Sequence, residues 1–257
     1  MMVTEEIIVS ARKRLLQMHF ESGVGHIGGN LSCLDAMMLI HHEYLNAEDR
    51  FILSKGHSAG ALYVTLWSLG RLSDESLKTF HKDNTLLAGH PPAIGSHDIL
   101  FATGSLGHGF SLAAGTALSL KLKDQTGRVF CLTSDGEWQE GSTWEALIFS
   151  AHHRLNNLTI LVDHNNLQGF GRTHDIASMS PLVEKLSGFD LDIESVNGYD
   201  LDAIRTAIDK TSDKCRIIIL ETIKGHGVSF MEDQMQWHYL PLKEHEYHQA
   251  IKEMGPR

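Results

Sequence analysis

Two stretches decide the fold: Arg128-Val-Phe-Cys-Leu-Thr-Ser-Asp-Gly-Glu-Trp-Gln-Glu-Gly141 and Leu158-Thr-Ile-Leu-Val-Asp-His-Asn-Asn-Leu-Gln168. Each opens with a short apolar run rich in β-branched or bulky residues, which reads as a buried strand. The first run ends near Ser134 and the second at Asp163. The Ser142–Arg154 stretch between them has helical spacing. Strand, helix, strand over this distance implies two adjacent parallel strands. Working outward, Phe51–Ser54, Asp192–Val196 and Arg216–Thr222 read as further strands. Thr4–Phe20, Ala59–Leu69, Phe110–Lys121 and Leu201–Lys210 read as helices. Ser32, with Asp35 three residues on, predicts a capped start for a helix over Leu34–Tyr44. The alternation predicts an α/β fold, a mainly parallel sheet with helices on both faces, in a single domain spanning 1–257.

Composition narrows the function classes. The hydrophobic fraction of 42% is enough for a sizeable core, so disorder is not expected. With 22 Lys+Arg against 32 Asp+Glu the net charge is −10, which argues against a nucleic-acid partner. The three cysteines, Cys33, Cys131 and Cys215, have neither metal-site nor disulfide-framework spacing. The N-terminus lacks the order of a signal peptide, and no apolar run approaches the roughly 20 residues that span a bilayer. The expectation is a cytoplasmic protein with no membrane partner.

In parallel sheets the ligand site lies beyond the carboxyl ends of the strands. That rule puts Asp135 at the end of one strand and Asn165 at the end of the next. A carboxylate, an amide oxygen and nearby backbone carbonyls make a hard oxygen site. Such a site suits Mg²⁺ or Ca²⁺, and Mg²⁺ typically completes its shell with phosphate and water. Gly136 leaves room for a phosphate, and a following helix start favours an anion. The glycine- and histidine-rich loops at 21–30, 54–58, 88–92 and 103–109 fall at the same predicted edge.

These residues resemble a known family. The Asp135-Gly136 and Asn165-Asn166 pair is similar to the thiamine-diphosphate motif, and Asp135-Gly-Glu-Trp-Gln-Glu-Gly-Ser-Thr-Trp-Glu-Ala146 resembles transketolase. Ser22-Gly-Val-Gly-His26, Leu53-Ser-Lys-Gly-His57, Gly89-His90, Thr103-Gly-Ser-Leu-Gly107, Thr222–Glu232 and Trp237-His238 carry the resemblance along the whole chain. Ser134 stands where the motif usually has Gly, and Tyr239 where Gly usually follows the His. The first is expected to tighten the diphosphate loop and the second to reshape the substrate mouth.

The resemblance implies thiamine diphosphate and a divalent cation: Mg²⁺, with Ca²⁺ or Mn²⁺ as substitutes. Asp135, Asn165 and the Leu167 carbonyl would ligate the metal. His57, Gly104, Ser105, Leu106, Gly136, Glu137 and His238 would border the cofactor. His26 and His90 would contact a sugar donor, with His57 and His238 near the reacting centre. Glu140 would sit at a subunit interface linking two cofactors. Neutral imidazoles suit this chemistry, because ketol transfer removes a proton from a hydroxyl near pH 7. His41, His42, His81, His152, His153, His245 and His248 are assigned to helices without a role. The Trp138/Trp144 pair is read as packing, and His108 is left open.

The resemblance also implies an aminopyrimidine-binding domain with a catalytic Glu, and no segment of this sequence is expected to supply it. The expectation is therefore the N-terminal subunit of a split transketolase, joined to a C-terminal subunit in a 2+2 heterotetramer and acting on sugars. Self-association is expected through the Glu140 segment and the Phe110–Lys121 helix. Two alternatives stand beside it. One is another thiamine-diphosphate enzyme, of acyloin or deoxyxylulose synthase or 2-oxo-acid dehydrogenase type. The other is a non-catalytic relic. The three histidines His26, His57 and His90 favour a polyol donor.

Overall fold

The computed structural model describes residues 2–93 and 98–255. The ends of the expected single unit, Met1 and Arg257, lie outside them. The chain opens with helices α1 (Glu5–Ser22) and α2 (Ile27–Leu39), a π-helical turn at Ile40–Tyr44, and strand β1 (Arg50–Leu53). Next come α3 (Ala59–Ser68), the short α4 (Asp74–Leu77), α5 (His108–Leu122) and β2 (Val129–Ser134). A 3₁₀ turn at Asp135–Gln139 leads to α6 (Gly141–His152) and β3 (Leu158–His164). The two-residue strands β4 (Leu167–Gln168) and β5 (Gly171–Arg172) follow, then α7 (Thr173–Ala177) and α8 (Leu182–Leu186). The chain closes with β6 (Asp192–Asn197), α9 (Leu201–Asp209), β7 (Arg216–Glu221) and α10 (Glu244–Glu253).

The five long strands form one parallel sheet in the order β1-β2-β3-β7-β6. The chain steps from β1 to β3, skips one place to β6, and returns to fill it with β7. Residue alternation along the strands splits the core into two layers. Phe51, Leu53, Phe130, Leu132, Leu161, Ile218 and Leu220 pack with α1, α2, α3, α9 and α10. Ile52, Val129, Cys131, Ile160, Val162, Ile217 and Ile219 pack with α5, α6 and α8 on the other face. The α/β architecture read from the sequence is therefore present, with strand bounds within two residues of those expected. Among the described residues no helix is long and apolar enough to cross a membrane.

Two readings need correction. Helix α2 starts at Ile27, ahead of the expected cap at Ser32, because His26 takes the left-handed conformation (φ 67°) that starts the helix. Ser32 is buried inside the helix, and Asp35 pairs with Arg12. The glycines Gly28 and Gly29, read as loop, are helical and leave space for neighbours. A Cβ on Gly28 would lie 3.1 Å from Lys224 Cγ and from Trp237 Cβ. The second correction is His81. It sits in a turn with φ 60°, with Nε2 and Cδ2 both 2.8 Å from where a Gly89 Cβ would be. Elements α4, α7, α8 and the β4–β5 pair have no counterpart in the sequence pattern. Each is five residues or shorter, which leaves little periodicity to read.

Candidate functional site

Parallel pairing puts Ser134 opposite Asp163, and Asp163 opposite Leu220, so the three strands end level. A cleft of about 560 Å³ opens above that edge. Eleven of the predicted site residues line it: Asp135, Gly136, Asn165, Leu167, Gly104, Leu106, Glu140, His26, His57, His90 and His238. Ser105 does not line it and is exposed. The Glu137 carboxylate does not reach it either. That group is fully buried and accepts from the Ser54 hydroxyl, the Gly107 N–H (3.0 Å) and the Ser134 N–H (2.9 Å). The Glu137 side chain thus fixes the turn that carries Asp135.

The metal-ligand candidates stand at the floor. Asp135 Oδ1 accepts from the Gly136 N–H at 2.8 Å, while Oδ2 is buried and makes no hydrogen bond. Burial, with the charge of Asp163 behind it, pushes the Asp135 carboxyl up to about 6. A buried carboxylate oxygen without a partner is costly. A divalent cation at that oxygen would remove the deficit, so the residues present fit a hard metal. Asn165 Oδ1 accepts from the Leu167 N–H at 3.1 Å, and Leu167 lines the same cleft. Gly136 leaves little side-chain room: a Cβ there would sit 3.3 Å from Gln168 Cβ.

Two lysines that the sequence reading passed over complete the floor. Lys55 and Lys224 are each 1% exposed and line the cleft. Lys55 is paired with Asp163 and donates to the Gly29 carbonyl at 2.6 Å. Lys224 Nζ lies 3.1 Å from His238 Nδ1 and 3.4 Å from the Leu167 carbonyl. Burial, and then the charge of Lys55, lowers Lys224 to about 8. Their signal in the sequence was the Lys within Leu53-Ser-Lys-Gly-His57 and Thr222-Ile-Lys-Gly225. Two buried ammonium groups beside a carboxylate suit a bound anion.

The wall is a histidine cluster. Ring centroids of His26 lie 5.6 Å from His57, 5.8 Å from His90 and 5.0 Å from His238, and His57 lies 5.3 Å from His238. Asn30, fully buried, ties them together. Its amide donates to the His26 and His57 carbonyls at 2.8 and 3.1 Å, and its oxygen accepts from the Ala61 N–H at 2.7 Å. The His26 N–H donates to the His238 carbonyl at 3.1 Å. Burial, and then neighbouring positive charge, lowers His26 to about 4 and His238 to about 3, and holds His57 well below its ordinary value. The wall is therefore neutral at pH 7. Lys224 donating to Nδ1 of His238 leaves that ring's proton on Nε2.

Beyond the wall lies a side pocket of about 240 Å³, bordered by His19, Phe80, His81 and Gly89 as well as His26 and His57. Tyr239, the departure from the family pattern, borders both cavities and donates its hydroxyl to the Gly169 carbonyl at 2.7 Å. Its backbone oxygen would meet a Cβ on Gly25 at 2.4 Å. Ser134 presents a buried hydroxyl with no partner at the cleft edge. Trp138 and Trp144 pack edge to face at 5.5 Å, and the Trp144 indole donates to the Trp138 carbonyl at 2.8 Å, as the packing reading expects.

Comparison with known proteins places this geometry. The family described as transketolase, thiamine diphosphate binding domain, matches residues 14–257. One subunit of an apulose-4-phosphate transketolase from Phocaeicola vulgatus is 36% identical, over 96% of this chain and 92% of that protein. A 6-deoxy-6-sulfo-D-fructose transketolase subunit of a Clostridium species is 33% identical, over 95% and 93%. The crystal structure of transketolase from Campylobacter jejuni superposes with a TM-score of 0.89 at 28% identity, covering 97% of this chain and 42% of that one. The chain belongs to the transketolase family and carries its thiamine diphosphate binding domain.

Proposed function

We propose that residues 1–257 act as one diphosphate-anchoring unit, the first subunit of a two-chain cytoplasmic transketolase. The enzyme moves a two-carbon ketol unit from a phosphorylated or otherwise modified ketose to an aldose. The observation that carries the reading is the meeting, in one cleft, of the unpaired Asp135 Oδ2 with four imidazoles. The two-chain form is supported by relatives named as subunits, which the chain matches over 92% and 93% of their length. The three cysteines, all free and buried, accord with a reducing compartment.

In this reading Asp135, Asn165 and the Leu167 carbonyl hold Mg²⁺, and Ca²⁺ or Mn²⁺ meets the same oxygen donors. Gly136, Gly104, Leu106, Lys224, His57 and His238 surround the diphosphate and the ring beside it. Thiamine diphosphate, when bound, supplies the nucleophile and electron sink that carbon–carbon cleavage needs. The chain's own work is binding and proton handling. His26 and His90 face the open cleft, and their neutral rings accept a proton from the donor hydroxyl and hydrogen-bond the charge that develops. Glu140, exposed at the cleft rim, meets the partner in a 2+2 heterotetramer.

The test is reconstitution. The purified chain alone should show no ketol transfer, and adding the complementary subunit should restore it with a concentration dependence set by their association. Full transfer by this chain, with no second protein detectable by mass spectrometry, overturns the reading.

A further inference from the structure

One buried carboxylate gathers four segments at the strand edge. Asp163, at the end of β3, is fully buried. Its Oδ2 accepts from the Ser32 hydroxyl of α2 at 2.6 Å, from the Lys55 ammonium after β1, and from the Asn165 side-chain amide at 3.0 Å. Its Oδ1 accepts from the Thr222 hydroxyl after β7. Hydroxyl, ammonium and amide partners all donate to it, and none of these contacts needs a proton from Asp163. It is an acceptor only.

That fact, with the Leu167 N–H on the other side of the amide, sets which way Asn165 points. A side-chain amide has an oxygen that can bind a cation and an NH₂ that cannot. With Nδ2 turned to Asp163, Oδ1 lies on the opposite side, where it accepts from the Leu167 N–H at 3.1 Å and keeps a lone pair for a cation. The flipped amide would set Oδ1 against Asp163 Oδ2, two acceptors at contact distance, and would aim NH₂ at the cation. We propose that Asp163 is a positioning residue for the metal site, locking the Asn165 amide with its oxygen toward the divalent cation, while Lys55 and Ser32 hold Asp163 in place. The inference rests on the reading of Asn165 as a metal ligand.

The groups behind a ligand are commonly worth about 10–100-fold in metal affinity. Mg²⁺ is titrated calorimetrically into the full chain saturated with thiamine diphosphate, with its partner subunit present. Asp163→Asn should weaken Mg²⁺ by about 10–100-fold, because an amide at 163 no longer selects one orientation of Asn165. Adding Asn165→Asp to that variant keeps the net charge. It also supplies a ligand with two equivalent oxygens, so it should recover most of the loss. Thr222→Val removes a bond to the other carboxylate oxygen. It should lower the melting temperature and leave Mg²⁺ affinity as in the parent.

Parent-like Mg²⁺ binding by Asp163→Asn overturns the proposal. So does failure of the double variant to bind more tightly than the single one, or an equal Mg²⁺ loss in Thr222→Val, which would indicate general loosening. If Asp163→Asn alone does not fold, the charge-conserving double variant still decides: it binds Mg²⁺ if the proposal holds and not otherwise. Asn165→Ala separates the two layers. Unchanged Mg²⁺ affinity there sinks the metal site itself, whereas a loss there with no effect of Asp163→Asn sinks only the positioning role.

Discussion

The floor and the wall of the cleft are built by different means. The floor comes from the level ends of β2, β3 and β7, so the sheet's hydrogen-bond register positions Asp135, Asn165 and Lys224. The wall comes from four separate loops, and its histidines owe their places to Asn30 and to backbone contacts between the loops. The floor is charged and the wall neutral. A register-built site tolerates charge, because Lys55, Asp163 and Lys224 there have fixed partners. A loop-built wall carries groups whose neutrality comes from burial. The two should therefore fail differently.

The floor should fail completely. Asp135→Ala is expected to abolish Mg²⁺-dependent binding of thiamine diphosphate, read as loss of the calorimetric heat with the partner present. Its melting temperature should change little, because only the local Oδ1 bond to the Gly136 N–H is lost while an unpaired buried Oδ2 goes with it. Parent-like cofactor binding would show that the floor is not the anchor.

The wall should fail in rate and keep its cofactor. His26→Ala and His90→Ala should each lower donor turnover by about 10²–10⁴-fold, the usual worth of a positioned acid–base group, with thiamine diphosphate still bound. If either variant loses the cofactor instead, the division between floor and wall does not hold.

Lys224 joins the two regions and sharpens the comparison. It touches His238 from the wall and the Leu167 carbonyl from the floor. Lys224→Met removes a charged donor worth about 1.5–3 kcal/mol, so the cofactor Kd should rise roughly 10–100-fold. His238 should titrate at a higher pH in the variant, since Lys224 is the first neighbouring charge lowering it after burial. NMR titration of the imidazole reads that shift.

How much was legible follows the same division. Asp135, Asn165 and the five long strands could be read because strand–helix–strand spacing translates directly into a shared edge. The wall histidines could be read only through the family resemblance. No local pattern says that residues 26, 57, 90 and 238 converge. Glu137 and Ser105 stand apart from the cleft lining because a motif gives no side-chain direction: the Glu137 carboxylate turns inward to cap its own turn, and Ser105 is exposed. Ser32 was misread because its spacing to Asp35 imitates a capping box. Tertiary partners, Asp163 for one and Arg12 for the other, had claimed both side chains. Lys55 and Lys224 were overlooked because a lysine in sequence looks like surface, and only the fold shows both buried.

The smallest expected effect tests whether neutrality by burial extends past the wall. His19 lies behind it in the side pocket, 1% exposed. Burial lowers it to about 4 in the folded protein, against about 6.5 for an unfolded histidine. The unfolded chain thus binds this proton first. Its contribution to stability is fully present above about pH 6.5 and is lost as pH falls through the interval down to about 4. By pH 5 the loss is about 2 kcal/mol relative to pH 7, which is roughly 4–8 °C in melting temperature for a chain of this size. His19→Leu keeps an apolar contact with Phe80, whose ring centroid lies 5.3 Å from that of His19, and removes the titration. Thermal melts at pH 7 and pH 5 should show the variant falling less than the parent by that amount. Parallel falls in the two proteins would mean that His19 is not held neutral by burial, and that the separation between a charged floor and a neutral interior ends at the wall.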